Sequence, residues 1–216
     1  MAEACAYGED YYYGKKDSSY VNYEELDAKR QFRSVLGYIK ENQLGGTLLD
    51  VGCAMGLFLG EAKQHFDSVE GCDISEFALG KARQMLPGIT FRNVDIEHPM
   101  PYPEHSFDVV TCLDVLEHTE RFSINFRRMA ILVKPGGHLI VSMPIDGWPR
   151  RMLGFLDNDK THISILTEYE IMDIVKGLGL EAIRKRHFSL APWGYKVRYV
   201  PAEIELVLRK PVRLSN

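Results

Sequence analysis

The stretch Leu48-Leu49-Asp50-Val51-Gly52-Cys53-Ala54-Met55-Gly56 constrains the fold of this chain more than any other. A short apolar run meets an acid and then two glycines four positions apart. Such a run, emptying into a glycine turn, reads as a buried parallel strand that ends on a loop, and Leu57-Phe58-Leu59 with Ala62 begin a helical pattern behind it. Glycine lets a loop bend sharply and lets a ligand come close to the backbone. In an open α/β sheet, ligands bind at the carboxyl ends of the strands, where the strand order reverses. The pattern therefore predicts a ligand on this loop.

Two better-known glycine loops are excluded by spacing. A dinucleotide fingerprint requires G-x-G-x-x-G, whereas here Ala54 stands at the middle glycine and Asp50 precedes the first. A P-loop requires G-x-x-x-x-G-K-[ST], but Gly52 and Gly56 are too close together and Leu57 occupies the lysine position. The loop is suited to a ligand without phosphates.

Two further acids recur downstream at strand ends. Val69-Glu70-Gly71-Cys72-Asp73-Ile74-Ser75 is a second strand ending in Asp73, about 20 residues on, where a doubly wound fold presents a carboxylate to ribose hydroxyls. A carboxylate accepts from both hydroxyls of a vicinal diol. The alternative is that Asp73 only caps the following helix. Ile89 to Ile96 is a third strand with Asp95 near its end, placed to accept from an exocyclic amine while Ile96 covers a base face.

The series D-V-G-C-A-M-G, G-C-D-I-S, N-V-D-I-E, F-D-V-V-T-C-L-D-V-L-E-H and L-V-K-P-G-G-H-L-I-V-S, over about residues 47–143, resembles the motif series of class I S-adenosylmethionine-dependent methyltransferases. It most resembles the small-molecule branch, such as the ubiquinone-pathway O-methyltransferases and those of sugar and polysaccharide pathways. The resemblance implies an α/β fold with a doubly wound, mostly parallel seven-stranded sheet, helices on both faces and an antiparallel last strand. It implies S-adenosylmethionine as cofactor and S-adenosylhomocysteine as product. Asp50 would then orient the glycine loop and meet the methionine amino group, and Gly52 and Ala54 would admit the cofactor to the backbone. Asp73 would hold the ribose diol, Asp95 would meet the adenine amine, and Ile74 and Ile96 would pack the adenine ring. Leu113 and Asp114 would border the methionine portion, and Cys53, Gly56 and Phe58 belong to the same cofactor loop.

Composition fits a single domain. The 216 residues are 45% hydrophobic and 26% charged, enough for a full core, and the net charge of −4 offers no basic field for nucleic acid. Cys5, Cys53, Cys72 and Cys112 lack metal-ligand spacing, and three lie in or just after apolar strands, so buried free thiols are expected. No apolar window approaches ~20 residues and the N-terminus lacks a leader pattern, which predicts a soluble cytoplasmic protein, monomeric or homodimeric, without membrane or nucleic-acid partners.

Strands and helices alternate, as a parallel sheet requires. The pattern predicts an amphipathic helix over 24–42 and a strand over 47–51. Helix 57–65, strand 68–72, helix 75–85 and strand 89–94 follow. After these come strand 107–113, helix 120–132, strand 138–143, helix 168–177 and strands 180–189 and 202–210. Lys134-Pro135-Gly136-Gly137 reads as a tight turn that stops a helix. Thr167 and Glu170 form a capping box, with the helix ending near Gly177 or Gly179. Residues 24–143 make the cofactor-binding core, 144–166 an insertion above the acceptor site, and 167–216 the last helix and a hairpin with residues 191–195 in its loop. The first 23 residues carry Tyr7, Tyr11, Tyr12, Tyr13, Tyr20 and Tyr23, read as a lid over the cofactor or as an exposed arm or dimer contact.

Methyl transfer from a sulfonium is an in-line displacement that alignment alone can accelerate greatly. An oxygen acceptor gains from a general base, and histidine is the usual one. His118, after the fourth strand, and His162, in the insertion, are the candidates, with alignment alone as the alternative. No metal is expected, since the other histidines share no motif and Asp157 with Asp159 is a sparse acidic set. The leading reading is transfer to a small-molecule acceptor, with oxygen preferred on the resemblance alone. Transfer to RNA or protein is the alternative, weakened because no N-P-P-Y or D-P-P-Y follows the fourth strand. A non-catalytic subunit that binds the cofactor is the third.

Overall fold

The computed structural model describes residues 7–15, 22–147, 159, 161–190, 196–197 and 202–212. At its centre, β1 (Thr47–Val51) pairs in parallel with β2 (Ser68–Asp73) on one side and β4 (Phe107–Leu113) on the other. Beyond them lie β3 (Thr90–Asn93) and β5 (Val133–Pro144), also parallel. The strand β8 (Glu203–Arg209) then runs antiparallel between β5 and β6 (Glu181–Leu190). A two-residue strand β7 (Lys196–Val197) is added beside β6, giving the order β3-β2-β1-β4-β5-β8-β6-β7. The seven strands expected are present, with the expected antiparallel strand.

Why the chain folds this way is visible in β1. Leu49 and Val51 pack into the core on one face, and Leu48 into the core on the other. Both faces are therefore buried, which is why the strand reads as a continuous apolar run. The first face is covered by α6 (Phe122–Leu132) through Phe126 and Met129, and by α7 (Glu168–Gly177) through Ile171 and Val175. The second is covered by α3 (Arg33–Glu41), α4 (Leu57–Ala62) and α5 (Glu76–Met85), through Val35, Ile39, Leu59, Leu79 and Ala82.

Helix α7 begins with the expected capping box: the Thr167 hydroxyl accepts from Glu170 N, and the Glu170 carboxylate accepts from Thr167 N at 2.8 Å.

Three predicted elements differ. The helix expected over 24–42 is broken into a 3₁₀ turn at Tyr23–Glu25, α2 (Ala28–Gln31) and α3. Asp27 caps α2, and Phe32, which ends it, leaves the helical region with φ −99° and ψ 13°. Helix α4 stops at Ala62 and gives way to a 3₁₀ turn at Lys63–His65. The fifth strand begins at Val133 rather than His138: Val133 pairs with Phe107 and His138 with Val109, so Lys134 to Gly137 form a bulge within the strand instead of a turn before it. Gly136 takes φ +85° there, and its N–H donates to Lys210 O. Most of the insertion (148–158) and the hairpin loop (191–195) lie outside the described residues. Among the described residues, no helix is long and apolar enough to cross a membrane.

Candidate active site

The strand order reverses between β1 and β4, and the loops leaving β1, β2, β3 and β4 meet at that point. A cavity of about 370 Å³ opens there, lined by Gly52, Ala54, Asp73, Ile74, Asp95, Ile96, Leu113, Asp114 and His118 among others. A second, of about 30 Å³, is lined by Asp50, Gly52, Cys53, Phe58, Leu113 and Asp114. Eleven of the twelve residues singled out for a cofactor thus line one cavity or both. Gly56 lines neither. It opens α4 in the left-handed region at φ +77°, where a Cβ would press on Leu86 and Phe91.

The glycine loop is held by its own backbone and by Asp73. Gly52 N and Cys53 N both donate to Cys72 O, at 2.8 and 3.0 Å. Ala54 N donates to Asp73 Oδ2 and Ser75 N to Asp73 Oδ1, each at 2.8 Å. Ser75, and not Asp73, caps α5, accepting from Ala78 N at 3.1 Å. Asp73 therefore ties the first loop to the second while it borders the cavity, and each oxygen has a further lone pair to offer. Burial pushes its carboxyl pKa upward. Gly52 is glycine for two reasons: its φ is +74°, and a Cβ would lie 2.2 Å from Val115 Cγ2. Ala54 stands in the left-handed region as well, at φ +46°, so its departure from glycine carries backbone strain.

Asp50 is buried at the floor of the small cavity, and one oxygen accepts from the Thr111 hydroxyl at 2.6 Å. Desolvation pushes its pKa up to about 7 against the pull of that hydrogen bond, with the charge of Asp73 adding to the rise. Asp95 accepts from Glu97 N at 2.8 Å, and its other oxygen faces His98 Nδ1 at 2.9 Å. Asp114 has φ +57° and accepts from the Ser142 hydroxyl at 2.8 Å.

Four tyrosines of the N-terminal segment, Tyr7, Tyr11, Tyr12 and Tyr23, line the large cavity with the strand-end residues. Their rings meet edge to face, Tyr7 with Tyr11 at 5.1 Å, and Tyr11 with Tyr12 and Tyr12 with Tyr23 at 5.4 Å. Tyr11 and Tyr12 are buried, and Tyr7 O accepts from the Ser75 hydroxyl at 2.6 Å, anchoring the segment on the second loop. Tyr20 lies outside the described residues.

The two histidines come together. His118 lies in a 3₁₀ turn after β4 and lines the cavity, and the His162 ring stands 4.9 Å from it, centre to centre. Burial, with His162 next to it, lowers the His118 pKa. Glu117 behind them is buried with one carboxyl oxygen lacking a hydrogen bond, and desolvation raises its pKa well above the carboxylate range. Ligand-type atoms of Glu117, His118 and His162 lie within 4.8 Å of one another, a juxtaposition the sequence did not reveal.

The sequence reading missed several residues. Asn93 donates to Ile74 O at 2.8 Å and so shapes the second loop. Glu97 lines the cavity and is clamped by Arg121 Nε at 2.8 Å. Asp159 and Thr161 approach His118 from a segment far along the chain. Asn93 and Glu97 flank Asp95 in the third motif and could have been found there; the others needed the fold.

Comparison with known proteins identifies the family. A profile for the methyltransferase domain family matches residues 22–185. The chain is 36% identical over 166 residues to a ubiquinone biosynthesis O-methyltransferase of Dechloromonas aromatica, covering 74% of this chain and 67% of that protein. It is 38% identical over 102 residues to the protein of that name from Alkalilimnicola ehrlichii, covering 45% of this chain and 41% of the relative. Against the first such relatives, the match spans less than half of their length. Among solved structures, a putative methyltransferase from Bacillus halodurans superposes with a TM-score of 0.67 at 17% identity, over 82% of this chain and 99% of that one. An S-adenosylmethionine-dependent methyltransferase from Mesorhizobium loti gives 0.64 at 21% identity, over 83% and 98%. The chain belongs to the methyltransferase domain family, of the class I, S-adenosylmethionine-dependent kind.

Proposed function

We propose that this protein transfers the methyl group of S-adenosylmethionine to a small-molecule acceptor, at oxygen. The observation that carries the proposal is the pair of cavities at the strand-order reversal, lined between them by acids from four strand ends and by four tyrosines. The residues suit the cofactor. Asp73 offers free lone pairs for a ribose diol, and Asp95 lies one strand on for an exocyclic amine, with Ile74 and Ile96 beside them as apolar walls. Asp50 is a buried acid with its pKa near 7, suited to an ammonium group.

When bound, the cofactor would supply a methyl group activated by its positive sulfur, for in-line transfer to the acceptor oxygen. The protein's task is to align acceptor and methyl in a dry site. The N-terminal tyrosines supply walls that are apolar with polar tips, which supports reading the segment as a lid. His118 takes the acceptor's proton, since it lines the cavity and His162 does not. The O-methyltransferase relatives and the net charge of −4 favour a small acceptor over RNA.

The test is the thermal unfolding midpoint with S-adenosylmethionine, S-adenosylhomocysteine and NAD. A ligand at about a hundred times its dissociation constant adds ~2.7 kcal/mol, or about 5–10 °C for a chain of this size. A shift with both adenosyl ligands but not NAD, abolished in Asp73→Ala, supports the site and opens it to acceptor screening. No shift, or a larger one with NAD, overturns the proposal.

A further inference from the structure

We propose that Asp159 and Thr161 are positioning residues that fix the tautomer of His118, making its Nε2 the basic nitrogen. This rests on the reading of His118 as the base. The geometry is a chain of hydrogen bonds between segments remote in sequence. His118 Nδ1 lies 3.2 Å from Thr161 O and 2.8 Å from Thr161 Oγ1. A carbonyl oxygen only accepts, so Nδ1 must carry the hydrogen. The Thr161 hydroxyl has a single hydrogen, and it donates this to Asp159 Oδ1. Its oxygen is then also an acceptor toward Nδ1. Both neighbours of Nδ1 demand the same tautomer, and the unprotonated nitrogen left is Nε2, on a ring that lines the cavity.

Asp159 completes the arrangement. It is buried and accepts from Thr161 N at 3.0 Å, which fixes the turn that aims the hydroxyl. Its other oxygen accepts from the Tyr11 hydroxyl at 3.1 Å, so the same carboxylate joins the tyrosine segment to the histidine. The backbone closes the segment from the other side: Ile163 N and Ser164 N both donate to Glu117 O, at 2.8 and 2.9 Å. A proton arriving at Nε2 puts positive charge on a ring whose Nδ1–H is already directed, through one hydroxyl, at a carboxylate. That arrangement does for His118 what an orienting acid does for the histidine of a hydrolytic triad, with a threonine hydroxyl interposed.

The test reads the tautomer without an acceptor. Protein labelled with ¹⁵N-histidine and saturated with S-adenosylhomocysteine is examined by two-bond ¹H–¹⁵N correlation, with His118→Gln assigning the signal. The groups facing the ring are Tyr7 from the N-terminal segment, Asp114 and Glu117 from the turn after β4, and Asp159, Thr161 and His162. The expected result is neutral His118 with its hydrogen on Nδ1. Thr161→Val should move it wholly or partly to the Nε2–H form, Thr161→Ser should restore the wild-type signal, and Asp159→Asn should lower the His118 pKa by about one unit through loss of a nearby opposite charge. Affinity for S-adenosylhomocysteine measured on each variant shows that the cofactor site is intact. An Nε2–H tautomer in the wild type, or an unchanged signal and pKa in both Thr161→Val and Asp159→Asn, overturns the proposal. Failure of the wild type to bind S-adenosylhomocysteine would instead sink the proposed function and leave the tautomer result readable in the free protein.

Discussion

If the amino group of the cofactor sits against Asp50, binding must be linked to a proton. In the empty site burial holds the Asp50 pKa at about 7, so near neutral pH roughly half of the molecules carry a neutral carboxyl there. An ammonium pairs with the ionised form, and the apparent dissociation constant should rise as this form is lost on acidification. With a pKa of 7, the ionised share is one half at pH 7 and about 3% at pH 5.5, which gives a loss of affinity of about fifteenfold, or ~1.6 kcal/mol. The direction for stability is opposite. The folded empty protein holds a proton between about pH 4 and pH 7 that the unfolded chain has released, so this group's contribution falls as pH rises through that window.

Titration calorimetry with S-adenosylhomocysteine at pH 5.5, 6.25 and 7.0, in buffers of different ionisation enthalpy, measures both quantities. Binding should release close to one proton at pH 5.5 and about half of one at pH 7. Asp50→Asn should bind more weakly at pH 7, with less than a threefold dependence on pH. Asp73, whose pKa burial also raises, is the competing source of such linkage, and Asp73→Asn separates the two. A flat dissociation constant in the wild type, or a slope that survives in Asp50→Asn, would refute the assignment of Asp50 to the ammonium.

Three shorter predictions follow from the same geometry. Gly52→Ala forces a side chain into the left-handed region and into Val115, which should cost at least about 2 kcal/mol and lower the unfolding midpoint by roughly 4–8 °C; a stable variant in differential scanning calorimetry would show that the loop can move. His118→Gln should reduce turnover at least tenfold while S-adenosylhomocysteine affinity stays within about twofold, and a loss confined to affinity would assign the ring to binding. Deleting residues 1–20 removes Tyr7, Tyr11 and Tyr12 from the cavity wall and should weaken S-adenosylhomocysteine at least tenfold by calorimetry, about 1.4 kcal/mol; unchanged affinity and turnover would dispose of the lid.

How far the sequence carried this structure depends on how local each determinant is. The strand β1, the acids at the strand ends and the Thr167–Glu170 box were legible because each is written in consecutive or near-consecutive residues with a fixed period or spacing. The break at Phe32 was not, because the apolar spacing from Leu26 to Ile39 continues across it; Asp27 was the cue, a strong cap placed where a single helix would have been interior. The bulge at Lys134–Gly137 escaped for a related reason. Pro135 and the two glycines do signal a local bend, but the pairing of Val133 with Phe107 and of Lys210 with Gly137 keeps that bend inside the sheet.

The site divides in the same way, and the division bears on function. The residues proposed for the cofactor lie within a few positions of strand ends, all addressed by one repeated βα pattern. The residues proposed for the acceptor side, Tyr7, Tyr11, His118, Asp159 and Thr161, come from three separate segments that only the fold brings together. The Asp159 carboxylate bonds Tyr11 on one oxygen and, through Thr161, reaches His118 on the other, so under the proposed roles it would couple the N-terminal segment to the base. Disturbing either end should therefore be felt at the other: loss of the Tyr11 hydroxyl in Tyr11→Phe ought to reach His118 through Asp159, although the two residues are more than a hundred positions apart in the chain.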